Sequence, residues 1–84
     1  MTAYVEARRY GASKDQILSE FADEYAYQGG GRATVTGERK FYKDLRWALG
    51  TGRVVKVGRP SSNAQDIVYV NPKYAHLRRE EVDP

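Results

Sequence analysis

The 84-residue chain carries 14 Lys and Arg against 11 Asp and Glu, a net charge of +3, with 40% hydrophobic residues, 30% charged residues and no cysteine. This balance suits one small globular domain with a modest core and argues against intrinsic disorder. It excludes a disulfide framework and a thiolate metal site, and with no apolar run near the ~20 residues of a membrane span and no signal-peptide core, a cytoplasmic protein is expected.

Residues 2–10 read as a short first helix using Tyr4, Val5 and Ala7, or as a frayed arm that carries Arg8 and Arg9. Residues 13–27 form the clearest helix. Ser13 with Gln16 three positions on fits a capping box, and Ile17, Leu18, Phe21, Ala22 and Tyr25 make a continuous apolar stripe. Asp15, Glu20, Asp23 and Glu24 give this helix an acidic outer surface, which a polyanion would repel. Glu20, Asp23 and Glu24 are neighbours at helical spacing, but solvated helix charges are much commoner than metal sites, and no metal or other cofactor is expected.

Residues 28–32 end that helix in a glycine loop. The Walker spacing of a phosphate-cradling loop is absent. Residues 33–36 form a brief extended segment. A second amphipathic helix is then expected over 37–49, with Thr36 as its N-cap and glycines 50 and 52 at its end. Phe41, Leu45, Ala48 and Leu49 supply its apolar stripe. Arg39, Lys40, Tyr42, Lys43 and Arg46 lie off the stripe, so the helix has a greasy face and a cationic face.

Residues 53–58 and 66–71 are rich in β-branched and aromatic residues and read as the two strands of a hairpin. Trp47, beside the apolar stripe, is expected half-buried between the helix and this hairpin. Residues 59–65 are the hairpin's polar tip, and Pro72 closes the second strand. Tyr74 and Leu77 are possible anchors of the C-terminal stretch, so a single domain over 1–77 and a disordered tail over 78–84 are expected.

The charge is unevenly spread. Residues 1–31 sum to −2 and residues 60–84 to −1, whereas residues 32–59 hold eight basic and two acidic residues, a net of +6. A basic cluster that coincides with a helix and hairpin is the footprint of a polyanion binder, against the plainer reading of a solvated lysine-rich face.

The stretch over 41–57, an aromatic- and leucine-spaced helix, a glycine, then an apolar strand with basic residues, resembles the recognition helix and wing of the winged helix-turn-helix superfamily. The resemblance covers about half the chain. It implies an α+β fold, with two or three helices followed by a β-hairpin wing and an extra strand at 33–36. In the family a short strand lies earlier and completes the wing sheet; here the candidate falls directly before the recognition helix, and the gap over 28–36 exceeds the usual ~3–4-residue turn.

Double-stranded DNA is the implied partner. Arg39, Tyr42, Lys43 and Arg46 would face a major groove, with Arg and Lys reading guanine edges. Lys40, Arg53 and Lys56 would meet the backbone, and the tip residues Arg59, Ser61, Ser62, Asn63 and Gln65 phosphate or a minor groove. Catalysis is not expected: His76 is the single histidine, and no serine lies on a nucleophile-elbow pattern. Two other classes compete. One is a protein-interaction module within a larger assembly, using the exposed aromatics and the acidic helix. The other is single-strand or RNA binding through stacked tyrosines. The footprint of so small a unit makes a homodimer, an array or a partner protein the expected route to specificity.

Overall fold

A computed structural model describes residues 1–58 and 67–75. The hairpin tip expected at 59–65, with Arg59, Ser61, Ser62, Asn63 and Gln65, lies outside the described residues, as do His76, Leu77 and the tail over 78–84. The described elements are α and β, and the strands pair antiparallel.

Helix α1 spans Thr2–Ala7 and buries Val5, which decides between helix and arm for the N-terminal segment. Gly11, at φ +75°, then turns the chain into strand β1, Ala12–Ser13. A Cβ at Gly11 would lie 2.4 Å from the Tyr69 carbonyl oxygen, so only glycine allows this approach. Ser13 ends β1 and caps helix α2, Lys14–Glu20, through the expected capping box: its Oγ accepts from the Gln16 amide while Gln16 Oε1 accepts from the Ser13 amide.

The single helix expected over 13–27 is instead two. It breaks at Phe21 (φ −112°, ψ 43°), and α3 covers only Ala22–Tyr25. No glycine or proline marks the break. Its effect is to bring Tyr25 onto the next long helix. Ala26, at φ +50°, ends α3 in the left-handed region, an unusual conformation for a residue with a Cβ.

The glycine segment is not a plain loop. Strand β2, Tyr27–Gly29, pairs antiparallel with β3, Arg32–Ala33, and Gly29, Gly30 and Gly31 fold the chain back with φ values of +99°, +60° and +76°. The extended segment expected at 33–36 is therefore shorter and earlier, and it belongs to this separate hairpin. The strand that completes the main sheet is β1, between α1 and α2.

Helix α4 runs over Val35–Gly50. Its N-cap is Thr34 and not Thr36. Thr34 leaves β3 in extended conformation, its Oγ1 accepts from the Gly37 amide at 3.1 Å, and Thr36 falls in the first turn. At the other end Thr51 Oγ1 donates to the Trp47 carbonyl at 2.8 Å, and Gly52 turns at φ +74°. Strands β4, Val55–Val57, and β5, Val68–Val70, come next, each shorter than the expected 53–58 and 66–71. The sheet order is β1-β5-β4, with Lys56 opposite Tyr69 and Tyr69 opposite Ala12. A 3-10 turn, Pro72–Tyr74, ends the described chain, its start capped by Asn71.

The core joins Val5, Ala12, Ile17, Leu18, Tyr25, Phe41, Leu45, Ala48 and Val54, so every helix and the sheet contribute. Edge-to-face ring contacts run through it: Tyr4 to Phe21 at 5.5 Å, Phe21 to Tyr25 at 6.3 Å and Tyr25 to Phe41 at 5.7 Å. Helices α3 and α4 cross so closely that a Cβ on Gly37 would lie 1.7 Å from the Tyr25 carbonyl oxygen.

Candidate functional site

Helix α4 buries Gly37, Phe41, Leu45 and Ala48, which fixes what it presents outward. At 3.6 residues per turn, Val35, Arg39, Tyr42, Lys43 and Arg46 fall on the arc opposite that stripe. All five are exposed, and with Glu38 they line one shallow depression along the helix. Tyr42 stands edge-to-face against Phe41 at 5.2 Å, so a core side chain holds its ring in place.

Lys14 extends this surface onto α2. Its Nζ lies 2.9 Å from Glu38 Oε1 and donates to the Tyr42 hydroxyl at 3.0 Å. Burial works to lower the Lys14 pKa, but the bonds to Tyr42 and Glu38 outweigh it and hold the amine above its usual value. Tyr69, on β5, is also drawn in. Burial raises its phenol pKa, Tyr42 raises it further and Lys14 opposes them. Lys56, exposed and directly opposite Tyr69, shares that sheet face.

The remaining expected site residues go elsewhere. Lys40 lies on the α3 flank of α4, with its Nζ 3.1 Å from Glu24 Oε1 and 6.0 Å from the centroid of the Tyr25 ring. Arg53 stacks over Trp47 at 5.2 Å and approaches Glu6 at 3.8 Å. Trp47 is 53% exposed, close to the half-burial expected of it, and the Arg53 guanidinium lies over its ring. Among the described residues no carboxylate pairs with Arg39, Lys43, Arg46 or Lys56. Among the described residues, cations tied to a neighbouring carboxylate are thus separate from cations without one.

Lys14 is the residue that sequence reasoning missed. It belongs to the helix read as acidic, and only the fold brings it beside Tyr42. Among the described residues no group of three His, Cys, Asp or Glu side chains could hold a metal ion, and no helix is long and apolar enough to cross a membrane. No protein-family model, curated protein or solved structure matches the chain.

Proposed function

We propose that this is a small double-stranded-DNA-binding protein of winged-helix type, with α4 in the major groove and the β4–β5 wing on the backbone or minor groove. One observation carries the reading: Arg39, Lys43 and Arg46 surround an exposed Tyr42 on the outer face of a helix anchored by Phe41, Leu45 and Ala48, with no ion-pair partner among the described residues. Arg and Lys at that spacing reach guanine O6 and N7 or phosphates along a groove one helix wide.

The layout supports the same reading. The helix feeds directly into the hairpin, and an early strand, β1, pairs with β5 as the third strand of the sheet. In a winged helix such a strand completes the wing sheet. The acidic residues Glu20 and Asp23 lie at the α2–α3 junction, off the basic arc. A transcription regulator, or an accessory factor of a phage or plasmid, fits so small a binding unit.

The test is a fluorescence-anisotropy titration of a mixed-sequence duplex over a salt series. Binding should fall steeply with salt, and the triple variant Arg39→Ala, Lys43→Ala, Arg46→Ala should bind at least about 100-fold more weakly while staying folded. No binding by the unaltered protein at low salt would favour a protein-interaction module. That second reading draws on Val35, 71% exposed, and Trp47, both large apolar side chains held in solvent.

A further inference from the structure

The β2–β3 hairpin lines no part of the depression along α4, yet it stands between α3 and α4 in the chain. Its tip is bare backbone: a Cβ at Gly29 or Gly30 would meet nothing within 4 Å. The tip is nevertheless held. Asp15 Oδ1 accepts from the Gly31 amide at 2.9 Å and from the Tyr27 hydroxyl at 2.5 Å. Arg32 pairs with Gly29 across the hairpin, is exposed, and meets no carboxylate partner among the described residues.

Arg32 lines a depression with Lys14, Asp15, Gly31 and Glu38. Glu38 also lines the depression that runs past Arg39 and Arg46. The two surfaces are therefore continuous, with the Lys14–Glu38–Tyr42 contact at the seam. Both carboxylates of the Arg32 depression are already engaged, Asp15 by the hairpin and Glu38 by Lys14. The guanidinium of Arg32 is the cation of this depression without an ion-pair partner among the described residues, and so the group that can take an outside anion.

We propose that this hairpin is a second backbone clamp, in which Arg32 contacts one phosphate of the strand flanking the groove that α4 enters. The inference rests on the DNA-binding reading. Glycine at the tip allows the main chain to approach the sugar-phosphate surface closely. The Asp15 anchor fixes the distance of Arg32 from α4, so the hairpin sets register along the duplex without reading sequence.

The experiment titrates a mixed-sequence duplex, over a salt series, with the unaltered protein, Arg32→Ala, Arg32→Lys and the α4 triple variant. Because Arg32 is exposed, the fold should survive, as circular dichroism would check. Arg32→Ala should weaken binding about 3- to 10-fold at low salt and flatten the log–log salt dependence by about one unit, with Arg32→Lys recovering most of both. If the unaltered protein binds and Arg32→Ala matches it in affinity and slope, the clamp is overturned and the α4 reading stands. If the unaltered protein does not bind the duplex, the α4 reading falls and the clamp with it.

Discussion

Helices α2 and α3 and helix α4 contribute to one core, but they present different charge to solvent. Four carboxylates work inside the molecule, Asp15 and Glu24 on α2 and α3 and Glu38 and Asp44 on α4 itself. Asp15 holds the glycine hairpin, Glu24 takes Lys40, Glu38 takes Lys14, and Asp44 accepts from the Tyr25 hydroxyl at 2.7 Å. The outward cations of α4 have no such work among the described residues. In a chain this small, acceptors that lock element to element are taken up by the fold, and three of the cations without an ion-pair partner among the described residues, Arg39, Lys43 and Arg46, share one helix face. The lengths agree with this division. At 7 and 4 residues, α2 and α3 depend on packing, whereas α4, at 16 residues, is long enough to fill a groove.

The strongest way to break this comparison is at the crossing itself. In an open helix, Gly→Ala stabilises by about 1 kcal/mol. At Gly37 the new methyl would meet the Tyr25 carbonyl oxygen at 1.7 Å and its carbon at 2.6 Å, and main-chain atoms cannot rotate away. Helix α4 would have to lift off α3, loosening the Tyr25–Phe41 contact and the Tyr25–Asp44 bond. Gly37→Ala should therefore cost about 3 kcal/mol or more in a urea titration, a large share of a small domain's stability. Gly50→Ala, with nothing within 4 Å of the added Cβ, is the control and should be neutral or stabilising. A Gly37→Ala variant as stable as the unaltered protein would mean that the two helices do not cross here.

That crossing also shows where the sequence stops being legible. The apolar stripe of Phe41, Leu45 and Ala48 was readable from spacing, as was the Ser13 capping box, because both are local. The basic arc followed once the stripe was known. Gly37 read only as a residue near a helix start, since its packing role depends on a carbonyl 12 positions away in sequence. The break at Phe21 carried no signal, and a continuous stripe through Tyr25 argued against it. Strand β1 was invisible for a different reason: two residues, Ala12 and Ser13, have no period, and only pairing with β5 makes them a strand. Three glycines pointed to a loop; their positive φ values instead close a hairpin whose strands are held by tertiary contacts. Lys14 joined the candidate site only because α2 docks its first turn beside Tyr42.

The Tyr25–Asp44 bond offers a smaller perturbation. Burial pushes the Tyr25 phenol well above its usual value, and the bond to Asp44, with the charges of Asp44 and Glu24, pushes it further. The folded state therefore keeps a proton that the unfolded state releases near pH 10. A pKa raised on folding contributes stability that is fully present below the unfolded value and lost as pH rises beyond it. Stability should accordingly fall above about pH 10. Tyr25→Phe should lose about 1–2 kcal/mol at neutral pH, and its alkaline decline should be shallower. Some decline should persist, because the phenols of Tyr27 and Tyr69 are also raised. An unchanged alkaline slope in Tyr25→Phe would remove Tyr25 as the group that couples α3 to α4.

The smallest expected effects test the division of the cations most directly. Lys40 and Lys43 sit three residues apart on one helix, carry the same charge and are both exposed. Composition cannot tell them apart; their places on the helix and their partners differ. Lys40 is matched to Glu24 across the α3–α4 seam, on the flank away from Tyr42. An exposed pair of this kind contributes about 0.2–1 kcal/mol, so Lys40→Ala should shift the urea midpoint slightly. It should leave duplex affinity within about twofold and should not flatten the salt dependence, since no phosphate contact is lost. Lys43→Ala should do the reverse, with unchanged stability, about fivefold weaker binding and a salt slope lower by about one. Equal losses of affinity in the two variants would place the duplex against the seam between α3 and α4 as well as the outer arc. Glu24 would then compete with DNA for Lys40, and Glu24→Gln should tighten binding by freeing that lysine.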